Sequence, residues 1–583
     1  MHFNRPGKKI FNPMFFVAAF AGLAGASNVG VVEDPHARIT DEAPSRWVVQ
    51  WTAPKYYAAP VELDLRRVHY NMRWRKVESA DGKAELVKSL LKGSEDTLAA
   101  FRIGTDVKAG DAFRFAITAM GSRFSGVTTV LGLAANNEEQ GLVGLTMHPG
   151  PANGLQIIAR PGLQSDGRVR VVLLPVDALG YPAQFSTPLS VAVCLGEEQL
   201  WEGEVQSAEQ VCLDVPDLNV VRLTAKSTMG NVVSNPIWPE ASRGRIAAFG
   251  DMHWHTDLSS DATRGIDEGL AAARDYFNND FSIPTDHAPE DDKWAETVKA
   301  CDRFNEPGRF ATVYGWERSS AKGHVNFYFT DPDHPLNPDN FPYPKEPETY
   351  IEKIPYKDFV AIPHHTNSRG RIKNGKHAFS AYPWGEPMDE YLRSIEIMQT
   401  RGNYEREDSP ESWRTDGHNN GSSALVALAM GHKLGFVGGT DNHKGWPCVT
   451  RNSGRIYAGM WTKRRDRQEI YNALHDRHTW ACWDTRAIVL FEIDSAMQGD
   501  ELELEKPRKL SARIKLSAEA PLDVLEIVTK NGRAIATEIP DGALDIDTTV
   551  DLGMVEESTF FYLRARQANG ALVYASPIFV TAR

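Results

Sequence analysis

The stretch Gly250–Asp261 is the feature that most limits what this chain can form. It contains His253 and His255, two positions apart, and directly follows the apolar run Ile246–Phe249. If that run is a β-strand, both imidazoles leave its end on the same side, because side chains alternate between the faces of a strand. Two imidazoles on one side can bind a metal ion, whereas a polar surface pair explains the motif equally well when it is taken alone.

The region from Gly244 to Arg486 alternates between two patterns. Short β-rich runs are separated by segments whose apolar residues recur at helical spacing. Such an alternation predicts a parallel sheet, and this number of repeats favours a barrel. The strand-like runs are Ile246–Phe249, Phe281–Pro284, Phe310–Trp316, His324–Phe329, Phe359–Pro363, Ser394–Gln399 and Gly435–Gly439. The helical patterns lie at Ile266–Phe277, Trp294–Phe304 and Ser422–His432.

Ionisable residues lie just beyond the carboxyl ends of five of these runs. In a parallel α/β barrel that face holds the site, because the strand ends converge there and the loops vary freely. Eleven of the 17 histidines lie between residues 253 and 443. Each residue alone has an ordinary explanation, such as a core histidine or a loop pair, but together they predict one site. The residues are His253, His255, Asp286, His287, Glu317, His364, His365, Asp441 and His443.

The segments on either side differ in pattern. From residue 28 to 240, short β-branched and aromatic runs alternate with Gly, Pro, Asn and Asp, which predicts a β-sandwich region of one or two modules. Residues 487–583 predict a C-terminal β-sandwich with a hairpin that turns at Asn531-Gly532. The order of residues in Leu223–Trp238 recurs in Leu563–Phe579, which indicates either a repeated module or a chance likeness between two hairpins.

Composition limits the classes of function. The formal net charge is −13, and the chain has no long Lys/Arg run, which argues against a nucleic-acid partner. Beyond the N-terminal segment no window is long and apolar enough to span a membrane, so no membrane partner is expected. Five cysteines without a Cys-x-x-Cys motif predict neither a zinc ribbon nor a full disulfide framework. The expected partner is a small molecule, and the sequence does not determine the oligomeric state.

Residues 1–27 resemble an export signal. Arg5, Lys8 and Lys9 precede the apolar run Met14–Ala26, which ends in small residues. An Asn-Pro pair interrupts the approach to this run, and a buried N-terminal helix or strand explains the composition as well. The expected location is therefore exported or periplasmic, with the cytoplasm as the alternative.

The order of the ionisable residues resembles the PHP superfamily, named for polymerase and histidinol phosphatase. The shared features are His-x-His, an Asp six residues past the second His, Thr-Asp-His, a strand-end Glu, a later His, Pro-His and a terminal Asp-x-His. More narrowly, Gly250–Thr256, Ile362–His364, Glu396–Gly402 and Gly435–His443 resemble an uncharacterised branch of PHP metallohydrolases. The resemblance implies an α/β plus all-β protein: a distorted (β/α)7 barrel at 244–486 flanked by N-terminal and C-terminal β-sandwich domains.

The resemblance also implies up to three metal ions at the carboxyl-terminal face of the barrel. Glu317 would bridge the first two ions, and the choice of His364 over His365 stays open. The first ion would be held by His253, His255, Glu317 and Asp441, the second by Glu317, His324 and His364, and the third by Asp261, His287 and His443.

The donor types predict the metals and the chemistry. Mixed imidazole and carboxylate ligands suit zinc, manganese or iron rather than calcium, and the resemblance implies two to three such ions per chain. A carboxylate between two dications holds them about 3.5 to 4 Å apart, where one water can bridge both. The expected mechanism is in-line attack of a metal-bound hydroxide on phosphorus, with no side-chain nucleophile. Catalytic roles are expected for Glu317, Asp441, His364 and Arg401.

Arg401 follows the run Ser394–Gln399, and its guanidinium matches a phosphate, although a surface ion pair with Glu405 explains it equally. Asp286 and Asn442 could orient ligands, or could be solvent-facing loop positions. Further substrate-contacting candidates are His365, Arg318, Lys444 and His418.

The predicted function is a metal-dependent phosphoesterase acting on small phosphate mono- or diesters. One alternative is hydrolysis of a carboxylic or carbamic ester at the same site. Another is a carbohydrate- or surface-binding protein whose barrel carries structural metal. A nuclease role is the least favoured because the chain is acidic.

Overall fold

The computed structural model describes most of the chain in two compact units. The first unit is Met1–Gly150 with Thr256–Gly265, and the second is Pro151–His255 with Ile266–Arg583. The export-like segment 1–27 and the candidate His418 lie outside the described residues. The described ranges are 28–38, 43–69, 73–90, 97–120, 126–216, 219–240, 242–259, 261–262, 264–287, 291–320, 323–333, 351–352, 358–367, 372–373, 376–377, 382–407, 409, 421–449 and 454–583.

The first unit is a β-sandwich, as its alternating sequence predicts. A four-stranded sheet of order β1-β2-β7-β4 faces a five-stranded sheet of order β5-β6-β3-β8-β9. Phe101 and Phe115, one from each sheet, meet with ring centroids 4.7 Å apart. The strands are β1 Val29–Glu33, β2 Ser45–Thr52, β3 Val61–His69, β4 Arg73–Ser79, β5 Glu85–Ser89, β6 Thr97–Ile103, β7 Ala112–Met120, β8 Gly126–Ala135 and β9 Glu138–Met147.

The second unit begins with another pair of packed sheets. Their orders are β10-β11-β14 and β13-β12-β15-β16. Every residue of β11 is buried, because this apolar strand lies at the centre of its sheet. The strands are β10 Gly154–Ala159, β11 Val169–Val176, β12 Leu189–Leu195, β13 Glu198–Val205, β14 Glu209–Leu213, β15 Thr224–Ser227 and β16 Gly230–Val233.

The central part of the second unit contains the strands and helices that carry the candidate ligands. The strands are β17 Ile246–Trp254, β18 Phe281–Pro284, β19 Ala311–Thr312, β20 Tyr314–Ser320, β21 Gly323–Phe329, β22 Val360–His364, β23 Ile372–Lys373, β24 Lys376–His377, β25 Ser394–Gln399, β26 Gly402–Asn403, β27 Gly435–Gly438, β28 Ile456–Thr462 and β29 Thr479–Trp483. The helices are α1 Ile266–Ala271, which continues as a π-helical turn Ala272–Tyr276, α2 Asp291–Phe304, α3 Ala424–Ala429 and α4 Arg467–His475.

The predicted (β/α)7 barrel is not evident in the described residues. Strands β17, β18 and β19 are parallel, as are β25 and β27, but β20, β21 and β22 form an antiparallel sheet. Only residues 321–322 separate β20 from β21, and a parallel crossover needs a dozen residues or more. The alternation in the sequence therefore predicted parallel pairing correctly for β17, β18 and β19 and for β25 with β27, and wrongly for β20, β21 and β22.

Single backbone contacts join these sheets around the candidate site. The Glu317 amide donates to the Asp286 carbonyl at 2.9 Å, and the His255 amide donates to the Asn442 carbonyl at 2.8 Å. The ends of separate sheets are thereby held together, although no continuous ladder connects these sheets among the described residues.

The C-terminal part is a further sandwich, the third described, and it shares a sheet with the central part. The eleven-stranded sheet runs from β19 through β17, β28 and β29 into β38 and β37, so it passes across residue 486. The predicted hairpin is present, with positive φ at Asn531 and Gly532. The strands are β30 Ile488–Ile493, β31 Ala496–Met497, β32 Glu501–Leu504, β33 Arg508–Ser517, β34 Leu522–Thr529, β35 Ala534–Ala536, β36 Asp545–Val555, β37 Thr559–Gln567, β38 Leu572–Ala575 and β39 Ile578–Ala582, and a 3-10 turn spans Lys530–Gly532.

Within the described ranges, no helix combines the length and the apolar character that a transmembrane span requires. All five cysteines are free thiols.

Candidate metal centre

Strand β17 brings the two motif histidines to the centre of the second unit. The strand extends to Trp254, so His253 belongs to the strand and His255 follows it directly. Both side chains are fully buried. They lie on the same side, as the alternation of side chains predicts, because each Nε2 is 3.2 Å from the same Glu317 oxygen, Oε2.

Glu317 on β20 lies between two groups of histidines. Its Oε2 faces His253 and His255, as given above, and its Oε1 faces the other group. The Oε1 atom is 2.7 Å from His324 Nδ1 and 3.5 Å from His364 Nε2. Strands β21 and β22 place these two histidines directly opposite one another in the ladder. The carboxylate is therefore shared by two sets of donors.

Three groups of donors around Glu317, two of which share His255, have the spacing of metal ligands. Within each group, one donor atom from every residue lies within 4.8 Å of the others. The groups are His253, His255, Glu317 and Asp441; His324, His364 and His365; and His255, His287 and His443. The first group is the set expected for the first ion. In the other two groups, His365 joins His324 and His364, and His255 joins His287 and His443.

Asp441 closes the first group from the loop after β27. Its Oδ1 lies 3.4 Å from His255 Nε2 and 3.3 Å from His443 Nδ1. The backbone at Asp441 has a φ of +50°, a left-handed conformation that costs free energy in a residue other than glycine. This backbone geometry turns the carboxylate back toward β17.

Electrostatics favour an ionised carboxylate at Glu317 and neutral imidazoles at His364 and His365. Burial alone would raise the pKa of Glu317, but the neighbouring histidines, His287 and His364 first, hold that pKa well below its usual range. Burial holds the pKa values of His364 and His365 well below the ordinary value for histidine. Ionised carboxylates and neutral imidazoles are the forms that bind metal ions.

His253 differs from its neighbours. Burial would lower its pKa, but the carboxylates of Glu396 and Glu317 outweigh burial and raise the pKa to about 9. Metal binding at His253 would therefore release a proton at neutral pH.

Glu396 on β25 is a residue that sequence reasoning did not assign. Its Oε2 lies 2.7 Å from His253 Nδ1, and both side chains are fully buried. The contact fixes the ring so that the other nitrogen, Nε2, faces Glu317 and Asp441. A Cβ at Gly439 would lie 2.3 Å from that Glu396 oxygen, so only glycine fits behind the pair. Glu396 lies in the stretch Glu396–Gly402, which was noted in the sequence. The spacing of residues does not predict that Glu396 pairs with His253.

Asp251 is a second residue without an assigned role. Its carboxylate accepts hydrogen bonds from the amides of His253 at 3.0 Å, Thr440 at 3.2 Å and Cys448 at 2.7 Å. Because it bonds both β17 and the loop that carries Asp441, it holds two ligand-bearing segments together.

Arg401 lies at the site, and its side chain is mostly buried. Its guanidinium forms an ion pair with Asp441, and its NH1 group also donates to Gln399 at 3.2 Å. The suggested partner Glu405 is instead buried against Arg564, at 2.7 Å. The ion pair with Glu405 that was considered as an alternative is therefore wrong.

The structure places Asp286 and Asn442 in the interior and Asp261 in the first unit. Asp286 and Asn442 are buried, so neither is a solvent-facing loop position. The Asn442 side chain accepts from the Lys444 amide at 2.6 Å and donates to the Val449 carbonyl at 2.6 Å, which shapes its own loop. Asp261 lies in the segment 256–265 that belongs to the first unit, so its assignment stays a prediction.

The donor set fits divalent cations. Within the described part of the chain, neither ring nitrogen of the buried His364 makes a hydrogen bond. Leaving a buried polar atom without a partner costs roughly 1 to 3 kcal/mol, and a metal ion would satisfy a nitrogen that faces Glu317. The fold and the site together define a β-rich protein with a buried histidine–carboxylate cluster that could bind divalent metal ions.

Comparisons with known proteins give the following likenesses. A family model described as "Protein of unknown function (DUF3604)" matches residues 264–418, a segment that contains Glu317, His324 and His364. The chain is similar to an uncharacterized protein of Chlamydia muridarum, at 25% identity over 63% of this chain and 62% of the relative. An uncharacterized protein of Chlamydia pneumoniae is 23% identical over the same shares. The match thus spans less than two thirds of these curated relatives.

Two solved structures are partly similar to this chain. One is a two-domain protein from Bacteroides vulgatus that contains a predicted PHP-like metal-dependent phosphoesterase, with 15% identity, 58% of this chain and 97% of that chain covered, and a TM-score of 0.31. The other is purple acid phosphatase PPD1 of yellow lupin, with 8% identity and a TM-score of 0.18. The alignment covers 95% of this chain and 96% of that chain. These scores are too low to establish a shared fold.

Proposed function

We propose that this protein is a metal-dependent hydrolase that cleaves small phosphate mono- or diesters. The observation that carries the proposal is the position of Glu317. One oxygen of its buried carboxylate faces His253 and His255 at 3.2 Å, and the other faces His324 at 2.7 Å and His364 at 3.5 Å. A carboxylate shared between two imidazole groups is the arrangement of a bridging ligand in a two-metal site.

The residues of the site have different roles in the proposed reaction. Divalent ions held by the three donor groups would supply Lewis-acid activation of water and neutralise charge on the phosphoryl oxygens. Glu317 holds the two sides of the site at a constant separation. Glu396 orients His253, and Asp251 positions the backbone on which His253 lies.

Arg401 supports an anionic substrate. It is close enough to His324 and His365 to add to the lowering of their pKa values, although burial is the larger cause. Its ion pair with Asp441 places it beside the other donor group as well. A guanidinium next to both groups matches the charge and geometry of a phosphate.

The test is an assay of the purified full chain loaded with zinc or manganese. Chromogenic phosphodiester, phosphomonoester and aryl carboxylic ester substrates are compared side by side, with elemental analysis of the same preparation. We expect turnover of a phosphate ester, and a loss of activity of at least about 100-fold in Glu317→Gln, since changing a residue that only orients a metal ligand already costs 10 to 100-fold.

A matched control is Glu138→Gln, which removes a carboxylate from an exposed ion pair with Lys55 in the first unit. Activity of this variant should equal that of the unaltered protein. Turnover of the aryl ester alone would replace the proposal with carboxylic or carbamic ester hydrolysis. No turnover by a protein that contains its metal ions would favour a binding protein.

A further inference from the structure

A second cluster of metal-ligating side chains lies in the first unit. It consists of Asp34 and His36, which follow β1, and His148, which follows β9. The His148 amide donates to the Ala37 carbonyl at 2.7 Å. Residue 148 also forms a parallel bridge with Arg38. The backbones that carry the two histidines are therefore joined directly.

The side chains of the cluster converge. One donor atom from each lies within 4.8 Å of the others. His148 Nε2 is 3.8 Å from Asp34 Oδ2, and the two imidazole centroids are 5.2 Å apart. The other Asp34 oxygen accepts from the His36 amide at 2.8 Å, which fixes the carboxylate relative to that histidine.

Two features of the cluster are energetically unfavourable, and binding of a ligand would offset them. Although the His148 side chain is 38% exposed, its Nε2 is shielded and has no hydrogen-bond partner within the described ranges. The separation of 3.8 Å from Asp34 is too long for a hydrogen bond. In addition, His36 has a φ of +48°, a left-handed conformation that is unfavourable for histidine. An exposed ion pair would compensate neither cost.

We infer that Asp34, His36 and His148 bind a divalent transition-metal ion of the zinc class. Two imidazoles and one carboxylate are the donors that zinc prefers, and calcium requires oxygen ligands throughout. Three protein ligands leave a coordination position for water. The ion would connect the end of β1 to the end of β9, which belong to opposite sheets of the sandwich. The site is independent of the proposed hydrolase.

The test is the zinc content of the purified chain after dialysis against buffer with trace zinc. The double variant His36→Ala/His148→Ala should contain about one zinc per chain less than the unaltered protein, as expected for loss of one site. The same loss of about one zinc should occur when the double change is made in Glu317→Gln. This second comparison separates the cluster from the centre around Glu317.

A matched control is His475→Ala. His475 is 47% exposed and lies 3.1 Å from Asp476, but it belongs to none of the ligand groups among the described residues. Its zinc content should be unchanged. If the double variant does not fold, Asp34→Asn replaces it, with an expected weakening of zinc affinity of at least about 10-fold. Unchanged zinc content or affinity in these variants would overturn the inference.

Discussion

Glu317 shows how one side chain can organise a site. Its carboxylate lies within 3.5 Å of ring nitrogens from five histidines: His253, His255, His287, His324 and His364. Ser319 also donates to its Oε1 at 2.6 Å. An ionised carboxylate is tolerated at full burial because these groups replace the water it has lost.

At the residue scale, Glu396→Gln tests the orientation of His253. The amide keeps the size of the side chain but removes the charge that fixes the ring. We expect activity and metal affinity to fall 10 to 100-fold, roughly the cost of losing an outer partner of a metal-binding histidine. Zinc titration and kcat/KM for the phosphate ester are the measurements. Values within twofold of the unaltered protein would show that Glu396 does not position His253.

Arg401→Ala tests recognition of an anion. The change should lower kcat/KM about 100-fold for a phosphodiester, because a bidentate contact to a charged group is lost. A neutral aryl ester should be affected less. Arg401→Lys keeps the charge without the planar fork and should recover only part of the loss. An equal loss on both substrates would instead indicate that Arg401 acts through Asp441.

At the scale of elements, the C-terminal sandwich supports the segment that carries Arg401. Glu405, four residues further on, is buried and accepts from Tyr562 at 2.6 Å and from Arg564 at 2.7 Å. Both donors lie on β37. Because Glu405 follows the short strand β26, the sandwich fixes the exit of β25 from the site.

Arg564→Ala should leave the Glu405 carboxylate buried without its cationic partner. We expect the free energy of unfolding to fall by about 3 kcal/mol, and kcat/KM to fall because the Arg401 segment loses its support. Urea unfolding and the phosphate ester assay measure the two effects. Arg566→Ala is the control on the same strand, since Arg566 forms an exposed pair with Asp523. Its effect should stay within about 0.5 kcal/mol, and equal losses in both variants would contradict the prediction.

Asp500 provides a pH-dependent contact between the central part and the C-terminal strands. Its carboxylate lies 2.8 Å from His478 Nε2 and accepts from the Met497 amide at 2.8 Å. Burial would raise its pKa, but these contacts outweigh burial and lower the pKa below the ordinary value of 3.8. A lowered folded pKa gives stability that is present above pH 3.8 and is lost as the pH falls through the folded value.

Asp500→Asn should therefore reduce the free energy of unfolding by about 1 kcal/mol at pH 7. The difference from the unaltered protein should shrink as the pH falls below 3.8. Urea unfolding at pH 7, 5 and 3 measures it. Asp547→Asn, which alters an exposed pair with Arg513, should show almost no difference. A pH-independent difference for Asp500→Asn would refute the assignment.

At the scale of the whole molecule, binding of metal ions should contribute to stability. Three donor groups surround Glu317, and a cation that binds only the folded chain stabilises it by about 2.7 kcal/mol at 100 times its Kd. Chelation should therefore abolish activity and lower the unfolding temperature by several degrees, and added zinc or manganese should restore both. In Glu317→Gln the temperature shift should be smaller. An unchanged unfolding temperature and activity after complete metal removal would contradict a metal-dependent function.

The amino-acid sequence by itself determined the donors and many of the strands. His253, Glu317, His364 and Asp441 were identified because each follows or ends a β-rich run, and local periodicity encodes such runs. Strands β18 and β25 begin and end where the sequence predicted. Local patterns were sufficient here because strand formation and side-chain alternation depend on neighbouring residues.

Only the tertiary structure decided how these pieces are joined. The antiparallel sheet β20-β21-β22 replaced the expected barrel strands, and Glu396 was found beside His253, 143 residues earlier in the chain. Strand pairing and buried contacts join residues far apart in sequence, and their free energy comes from packing and desolvation. No local periodicity records those partners, so the candidate metal donors could be predicted while Glu396 and Asp251, which contact the donor-bearing segments, could not.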